Sequence, residues 1–156
     1  KDLVELLQPW NCTLLANDIL DFPDFYSHYG VTPVGLEELL QRSDVVTLHV
    51  PLDESTRNMI SAARFVLMKP NSILINAARG GLVDEAALKA MLVTKRIAAA
   101  AFDVFAVEPP QDHELLALPN FLVSPHIGGS AEEATLAMGR AAINGLNENA
   151  IPDVTD

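Results

Sequence analysis

The chain has 156 residues, of which 49% are apolar and 20% charged, and its net charge at pH 7 is −11. That is the size and composition of one globular domain. The acidic balance argues against a nucleic-acid partner, because phosphate binding needs clustered Lys and Arg. No stretch has the length and apolarity of a membrane span, so no membrane role is expected.

The chain opens with Lys1-Asp2-Leu3-Val4-Glu5, which mixes apolar and charged residues as a helix does. It has no signal-peptide pattern, and no capping residue precedes it, so it reads as a chain entered inside a helix. Cys12 is the single cysteine; it permits no internal disulfide, reads as a small apolar residue near a strand, and fits a reducing cytoplasm. Trp10 and the group Phe22, Phe25 and Tyr26 read as core or interface packing.

Short apolar runs at 13–17, 45–50, 72–76, 98–104 and 121–124 read as strands. Most are continuous rather than alternating, the pattern of strands buried on both faces. Helical spacing is expected over 35–43, over 61–68 with Ser61 as a cap and Pro70 as a stop, and over 84–92 with acids at the positive end. A last helix begins near Ser130, which stands three residues before Glu133 as in a capping box, and its apolar face of Ala134, Met138, Ala141 and Ile143 reads as helix packing. Strand–helix alternation of this kind implies an α/β fold with a doubly wound parallel sheet. Residues 151–156 read as an exit segment.

In such a sheet, ligands bind beyond the carboxyl ends of the strands. His49-Val50-Pro51, Ala77-Ala78-Arg79, Asp103 with Glu108, and His126-Ile127-Gly128-Gly129 all follow predicted strands. Arg79, Glu108 and His126 therefore come from three strand ends towards one edge. That trio suits the chemistry of a 2-oxo acid. Arg offers a bidentate fork for the carboxylate. His exchanges a proton with the carbonyl oxygen near neutral pH. A carboxylate beside the His stabilises imidazolium and orients the ring. Gly128 and Gly129 allow a bulky cofactor to approach the backbone. His28 and His113 read as solvent-exposed loop residues.

The run Asn76-Ala77-Ala78-Arg79-Gly80-Gly81-Leu82-Val83-Asp84-Glu85 resembles the central signature of the D-isomer-specific 2-hydroxyacid dehydrogenases. So do Asp103-Val104-Phe105 with Glu108-Pro109, and Pro125-His126-Ile127-Gly128-Gly129. His49-Val50-Pro51-Leu52 with Thr56 is similar to the stretch that runs along the cofactor.

The resemblance implies a Rossmann-like NAD-binding domain over 1–150, and hydride transfer between NAD and a small 2-hydroxy or 2-oxo acid. By it, Arg79 binds the substrate carboxylate, Glu108 supports His126, and His126 is the acid/base. It further implies that Asp103 meets the nicotinamide carboxamide and that Asp18 holds the adenosine ribose. An acid at Asp18 favours NAD over NADP, whose extra phosphate it would repel. His49, Val50, Pro51, Thr56, Ala77, Ala78, Gly128 and Gly129 would line the cofactor groove. No metal is implied, and a cytoplasmic homodimer is.

The family's glycine-rich loop and first strand are expected immediately before Lys1 and are not in this sequence, nor is the separate substrate domain. The expected sheet is thus incomplete, with two open edges where that central strand belongs. A non-catalytic dinucleotide-sensing module, or an assembly fragment of the same fold, is the alternative reading.

Overall fold

The computed structural model describes residues 1–148; the expected exit segment at 151–156 lies outside them. The chain begins with α1 (Asp2–Leu7) and a 3₁₀ turn (Gln8–Trp10). Strand β1 (Leu14–Ala16) leads through α2 (Pro23–Tyr29) to β2 (Val31–Pro33). Helix α3 (Leu36–Arg42) then precedes β3 (Val45–Leu48), α4 (Ala62–Phe65) and β4 (Ile73–Asn76). The remainder is α5 (Glu85–Val93), β5 (Ala99–Phe102), α6 (His113–Leu116), β6 (Phe121–Val123) and α7 (Glu132–Glu148).

All strand pairings are parallel, as the alternation of strands and helices implies. They form two sheets: β1 with β2, and β3-β4-β5-β6 in that order. Among the described residues β1 pairs only with β2, and β3 only with β4. Val45 of β3 is correspondingly 52% exposed. The consecutive order of β3 to β6 places four strand carboxyl ends side by side.

The core is one apolar cluster on one face of the larger sheet. Leu74, Phe65, Leu88, Leu92 and Ile97, contributed by β4, α4, α5 and the approach to β5, are at most 1% exposed. Burial of such side chains stabilises by about 1.5–3 kcal/mol each. Strands β4 and β5 alternate fully and partly buried positions. The expectation of strands buried equally on both faces is therefore corrected: one face carries the core and the other is half covered.

Each predicted strand exists, and each is shorter than expected, because residues at one or both ends already belong to the loops. Residues 49–50 and 104 lie outside the strands, while Asp103 and Ser124 still donate their N–H groups to the Asn76 and Phe102 carbonyls at 3.0 Å. Strand β2 and helices α2 and α6 were not anticipated. Strand β2 is three residues long and ends in Pro33, as suits an edge. Helix α2 has Pro23 in its first turn and Gly30 past its end at φ +65°, a matched start and stop. Ser61 stands at the α4 N-cap without a side-chain cap bond, and α4 is shorter than the expected 61–68. The capping box at Ser130 does not form: α7 starts at Glu132, and the Ser130 backbone N–H donates to the Ile127 carbonyl at 2.9 Å.

Several apolar side chains stand at the surface. Trp10 is 79% exposed, whereas Tyr26 is buried. Met138 and Ile143 of α7 are 57% and 62% exposed rather than packed. Cys12 is exposed. Among the described residues, no helix is long and apolar enough to cross a membrane.

Candidate active site

The site is built where β4, β5 and β6 end. Asn76, the last residue of β4, is 1% exposed. Its side-chain amide donates to the Arg79 carbonyl at 3.0 Å, and its side-chain oxygen accepts from the Ala78 N–H at 3.2 Å. A buried amide thus shapes the turn that presents Arg79. The Arg79 side chain is exposed, and its Nη1 donates to the Ala78 carbonyl at 2.7 Å. Ala77 is exposed and Ala78 half-buried.

Asp103 follows β5 and is 8% exposed. Its Oδ1 accepts from Ser124 Oγ at 2.6 Å and from the Ile127 N–H at 3.0 Å, and its Oδ2 accepts from the Gly128 N–H at 2.9 Å. Burial works to raise its pKa, but these three donors, with His126 nearby, outweigh burial and hold it below the usual carboxylate value. The carboxylate is first of all a clamp on the loop that carries His126. That loop needs one, since His126 sits at φ +56° in the left-handed region, which costs a residue with a side chain about 1–2 kcal/mol.

Across the pocket, His126 Nδ1 is 2.8 Å from Glu108 Oε2. Glu108 Oε1 accepts the Phe105 N–H at 3.0 Å. The hydrogen bond with His126, then that from Phe105, hold the Glu108 carboxyl below its usual value. Among the described residues His126 Nε2 has no hydrogen-bond partner, and the side chain is 49% exposed. A cavity of about 300 Å³ opens there, lined by Asp103, Phe105, Glu108, Pro110, Ser124 and His126 together with Pro109, Val123 and Pro125. It is large enough for a small organic acid.

The structure therefore brings Glu108, His126 and Asp103 together. Arg79 does not line this cavity. Its turn touches the Glu108 loop through Gly80 instead, where a Cβ would lie 1.8 Å from the Phe105 carbonyl oxygen. Asn76 and Phe105 stand inside the motifs quoted above, but the sequence alone assigns no role to them, nor to Ser124 and Pro110. A Ser directly before Pro125-His126, and a lone Asn ending a buried strand, were the available signals.

The residues expected along a cofactor lie in the loops that follow β1, β3, β4, β5 and β6. His49 and Pro51 follow β3 and are exposed, and Val50 is half-buried against the core. His49 Nε2 lies 3.1 Å from Thr47 Oγ1, and partial desolvation pushes its imidazole down. Thr56 Oγ1 donates to the Pro51 carbonyl at 2.8 Å and accepts the Asp53 N–H at 2.8 Å, so its hydroxyl closes its own loop. Asp18 follows β1, is exposed, and accepts the Leu20 N–H through Oδ1 at 2.9 Å; among the described residues Oδ2 has no partner. Gly128 and Gly129 are exposed, and a Cβ on Gly129 would meet nothing within 4 Å. An open glycine backbone, exposed strand ends and an acid beyond β1 fit a dinucleotide. Among the described residues no group of three or more His, Cys, Asp or Glu is arranged to hold a metal ion.

Comparison with known proteins gives the same assignment. The profile of the D-isomer specific 2-hydroxyacid dehydrogenase NAD-binding domain matches residues 1–128. A D-3-phosphoglycerate dehydrogenase of Methanocaldococcus jannaschii is 51% identical over 104 residues, which are 67% of this chain and 20% of that protein. A glycerate dehydrogenase of Methylorubrum extorquens is 53% identical over 104 residues, 65% of this chain and 33% of that protein. Among solved structures, a D-lactate dehydrogenase from Sporolactobacillus superposes with a TM-score of 0.82 at 37% identity, over 97% of this chain and 50% of that one. The chain thus spans a fifth to a third of these two curated relatives. The strand ends, the Glu108–His126 pair and the profile match agree: this chain belongs to the D-isomer-specific 2-hydroxyacid dehydrogenase family, as part of its NAD-binding domain.

Proposed function

We propose that this chain supplies the cofactor groove and the acid/base machinery of an enzyme that moves hydride between NAD(H) and C2 of a small D-2-hydroxy or 2-oxo acid. The observation that carries the reading is the His126–Glu108 contact at 2.8 Å, made through Nδ1, in a side chain that lines a cavity of about 300 Å³ and whose Nε2 has no partner among the described residues. Asp18, His49, Val50, Pro51, Thr56, Ala77, Ala78, Gly128 and Gly129 would hold the dinucleotide, which would supply or accept the hydride. Asp103 keeps its clamp on the His126 loop, and its Oδ2 would have acceptor capacity left for the carboxamide.

The proton chemistry belongs to the chain itself. Glu108 accepts the Nδ1–H and steadies the imidazolium, so the transferable proton sits on Nε2. In reduction that proton goes to the substrate's carbonyl oxygen as C2 gains hydride, which yields the hydroxy acid. In oxidation neutral Nε2 takes the hydroxyl proton as C2 loses hydride. Arg79 binds the substrate carboxylate bidentately and orients C2. The substrate is a phosphoglycerate-type or glyoxylate/hydroxypyruvate-type acid, and the assembly is a cytoplasmic homodimer, as family membership suggests.

The test is His126→Asn in the complete enzyme polypeptide. Loss of a general acid lowers turnover of a 2-oxo acid with NADH by about 10²–10⁴-fold, while NADH binding, followed by its fluorescence, stays within a few fold. A variant that turns over normally refutes the role of His126. A parent protein that binds NADH but turns over none of the 2-oxo acids supports the sensing alternative.

A further inference from the structure

Residues 105–110, between β5 and α6, carry Glu108, and very little holds them. Residues 106–109 are exposed. One side of the segment faces the cavity of about 300 Å³ that contains His126. The other faces a second hollow of about 200 Å³, lined by Glu85, Phe105, Val107, Gln111 and Leu115 among others. A loop with a void on either side has few packing contacts to fix it, so its tethers matter more than they would in a packed wall.

Among the described residues, three tethers besides the Glu108–His126 contact join the segment to the rest of the fold. The Phe105 ring is 6% exposed and stands 6.1 Å from Phe102 and 6.2 Å from Phe121, centroid to centroid. The Phe105 carbonyl abuts Gly80. The third is polar: the Ala106 N–H donates to Glu85 Oε1 at 2.7 Å, across 21 residues of sequence. Glu85 is the first residue of α5, directly after the N-cap Asp84, whose side chain accepts the Ala87 N–H. The helix is rooted in the core by Leu88 and Leu92, at 0% and 1% exposure. It begins just after the Arg79-Gly80-Gly81 turn. Glu85 is therefore a rigidly mounted carboxylate that grips the backbone next to Phe105, and Phe105 in turn donates to Glu108 at 3.0 Å.

We propose that Glu85 is a positioning residue for the acid/base pair: it locks the Glu108 loop to the helix that follows the Arg79 turn, and so sets Glu108 against His126. The inference rests on the reading of Glu108 and His126 given above. Glu85 acts on substrate only through the loop. A hydrogen bond from a backbone N–H to a carboxylate is about twice as strong as a neutral one, and a misplacement of about 1 Å in a reacting constellation costs up to roughly 100-fold in rate.

The test uses Glu85→Ala, Glu85→Gln and Glu85→Asp in the complete enzyme polypeptide. Alanine removes the acceptor. Glutamine keeps an oxygen at the same reach. Aspartate keeps the charge but falls one methylene short, which also covers the case in which the alanine variant does not fold. The expected result is a fall in kcat of roughly 10-fold to 100-fold for Ala and Asp, with NADH affinity within twofold and recovery to within about threefold by Gln.

The charged groups facing Glu108 are His126 and Asp103, and neither is altered by these changes. A loosened loop weakens the Phe105 donor to Glu108, so the Glu108 carboxyl should titrate at higher pH in the Ala and Asp variants. Its carbon-13 resonance reads this whether or not the protein turns over. An unmoved Glu108 titration, or Gln as defective as Ala, overturns the proposal. Absent turnover in the parent, with the Glu108 titration still moved by Glu85→Ala, would leave the positioning role standing and refute only the proposed activity.

Discussion

At the scale of the residue, Asp103 is the most constrained group in the site. Two backbone N–H groups and one hydroxyl converge on it, and the left-handed backbone of His126 is held between them. Such strain persists where the surroundings over-determine it. Asp103 and Glu108 are both held below the ordinary carboxylate value. A depressed carboxylate contributes stability that is present above its unfolded pKa and is lost as pH falls through its folded pKa. Stability should therefore decline below about pH 4, where unfolded carboxylates begin to take up protons before the folded ones. Asp103→Asn should turn an amide NH₂ or a weaker carbonyl towards these donors, at a cost of about 1–3 kcal/mol at pH 7. The deficit should shrink as pH falls, because the native carboxylate loses its advantage. Thermal melts of both proteins between pH 3 and pH 7 measure it; a deficit constant with pH would show that the ionised form is not what the loop requires.

At the scale of the element, the β4–α5 turn joins the two halves of the site. Asn76 folds it from within, and Gly80 lets it meet the Phe105 backbone more closely than any side chain allows. Gly80→Ala should cost about 1–3 kcal/mol through overpacking and should displace the Glu108 loop, so activity should fall by more than the loss of folded protein explains. Comparison of kcat with the Tm of the same variant decides it. A variant with native Tm and native kcat would mean that the backbone gives way freely. The elements that sequence patterning found are those whose signal is local. Helix α5 was legible from its acids and its apolar period, and β4 and β5 from their apolar runs. Strand β2, three residues with a terminal Pro33, carries too little pattern to register, yet it is the partner that pairs with β1.

At the scale of the whole molecule, the parallel ladders divide into a two-stranded and a four-stranded sheet. Strands β4 and β5 have neighbours on both sides, whereas each of β1 and β2 has one. Opening either β4 or β5 requires breaking two ladders and exposing the core around Leu74 and Ala100. Their amides should be the slowest to exchange with solvent, and those of β1 and β2 should exchange at least about tenfold faster, the expected spread between core and peripheral units. Hydrogen exchange read by mass spectrometry tests this. Uniform protection across all six strands would mean that the two sheets open as one unit.

Short contiguous motifs at strand ends suffice to identify the family and the parallel α/β class, and they mark Arg79, Glu108, His126 and Asp103 as candidate site residues. Where those residues stand relative to one another emerges only from the folded chain. Asp103 turns inward onto the His126 loop, Arg79 stands outside the cavity beside His126, and Ser124 and Glu85 do the holding. The physical reason is the distance along the chain: the Ser124–Asp103 and Glu85–Ala106 bonds each span 21 residues. They exist only once parallel pairing has brought separate strand ends together, and no local spacing encodes them.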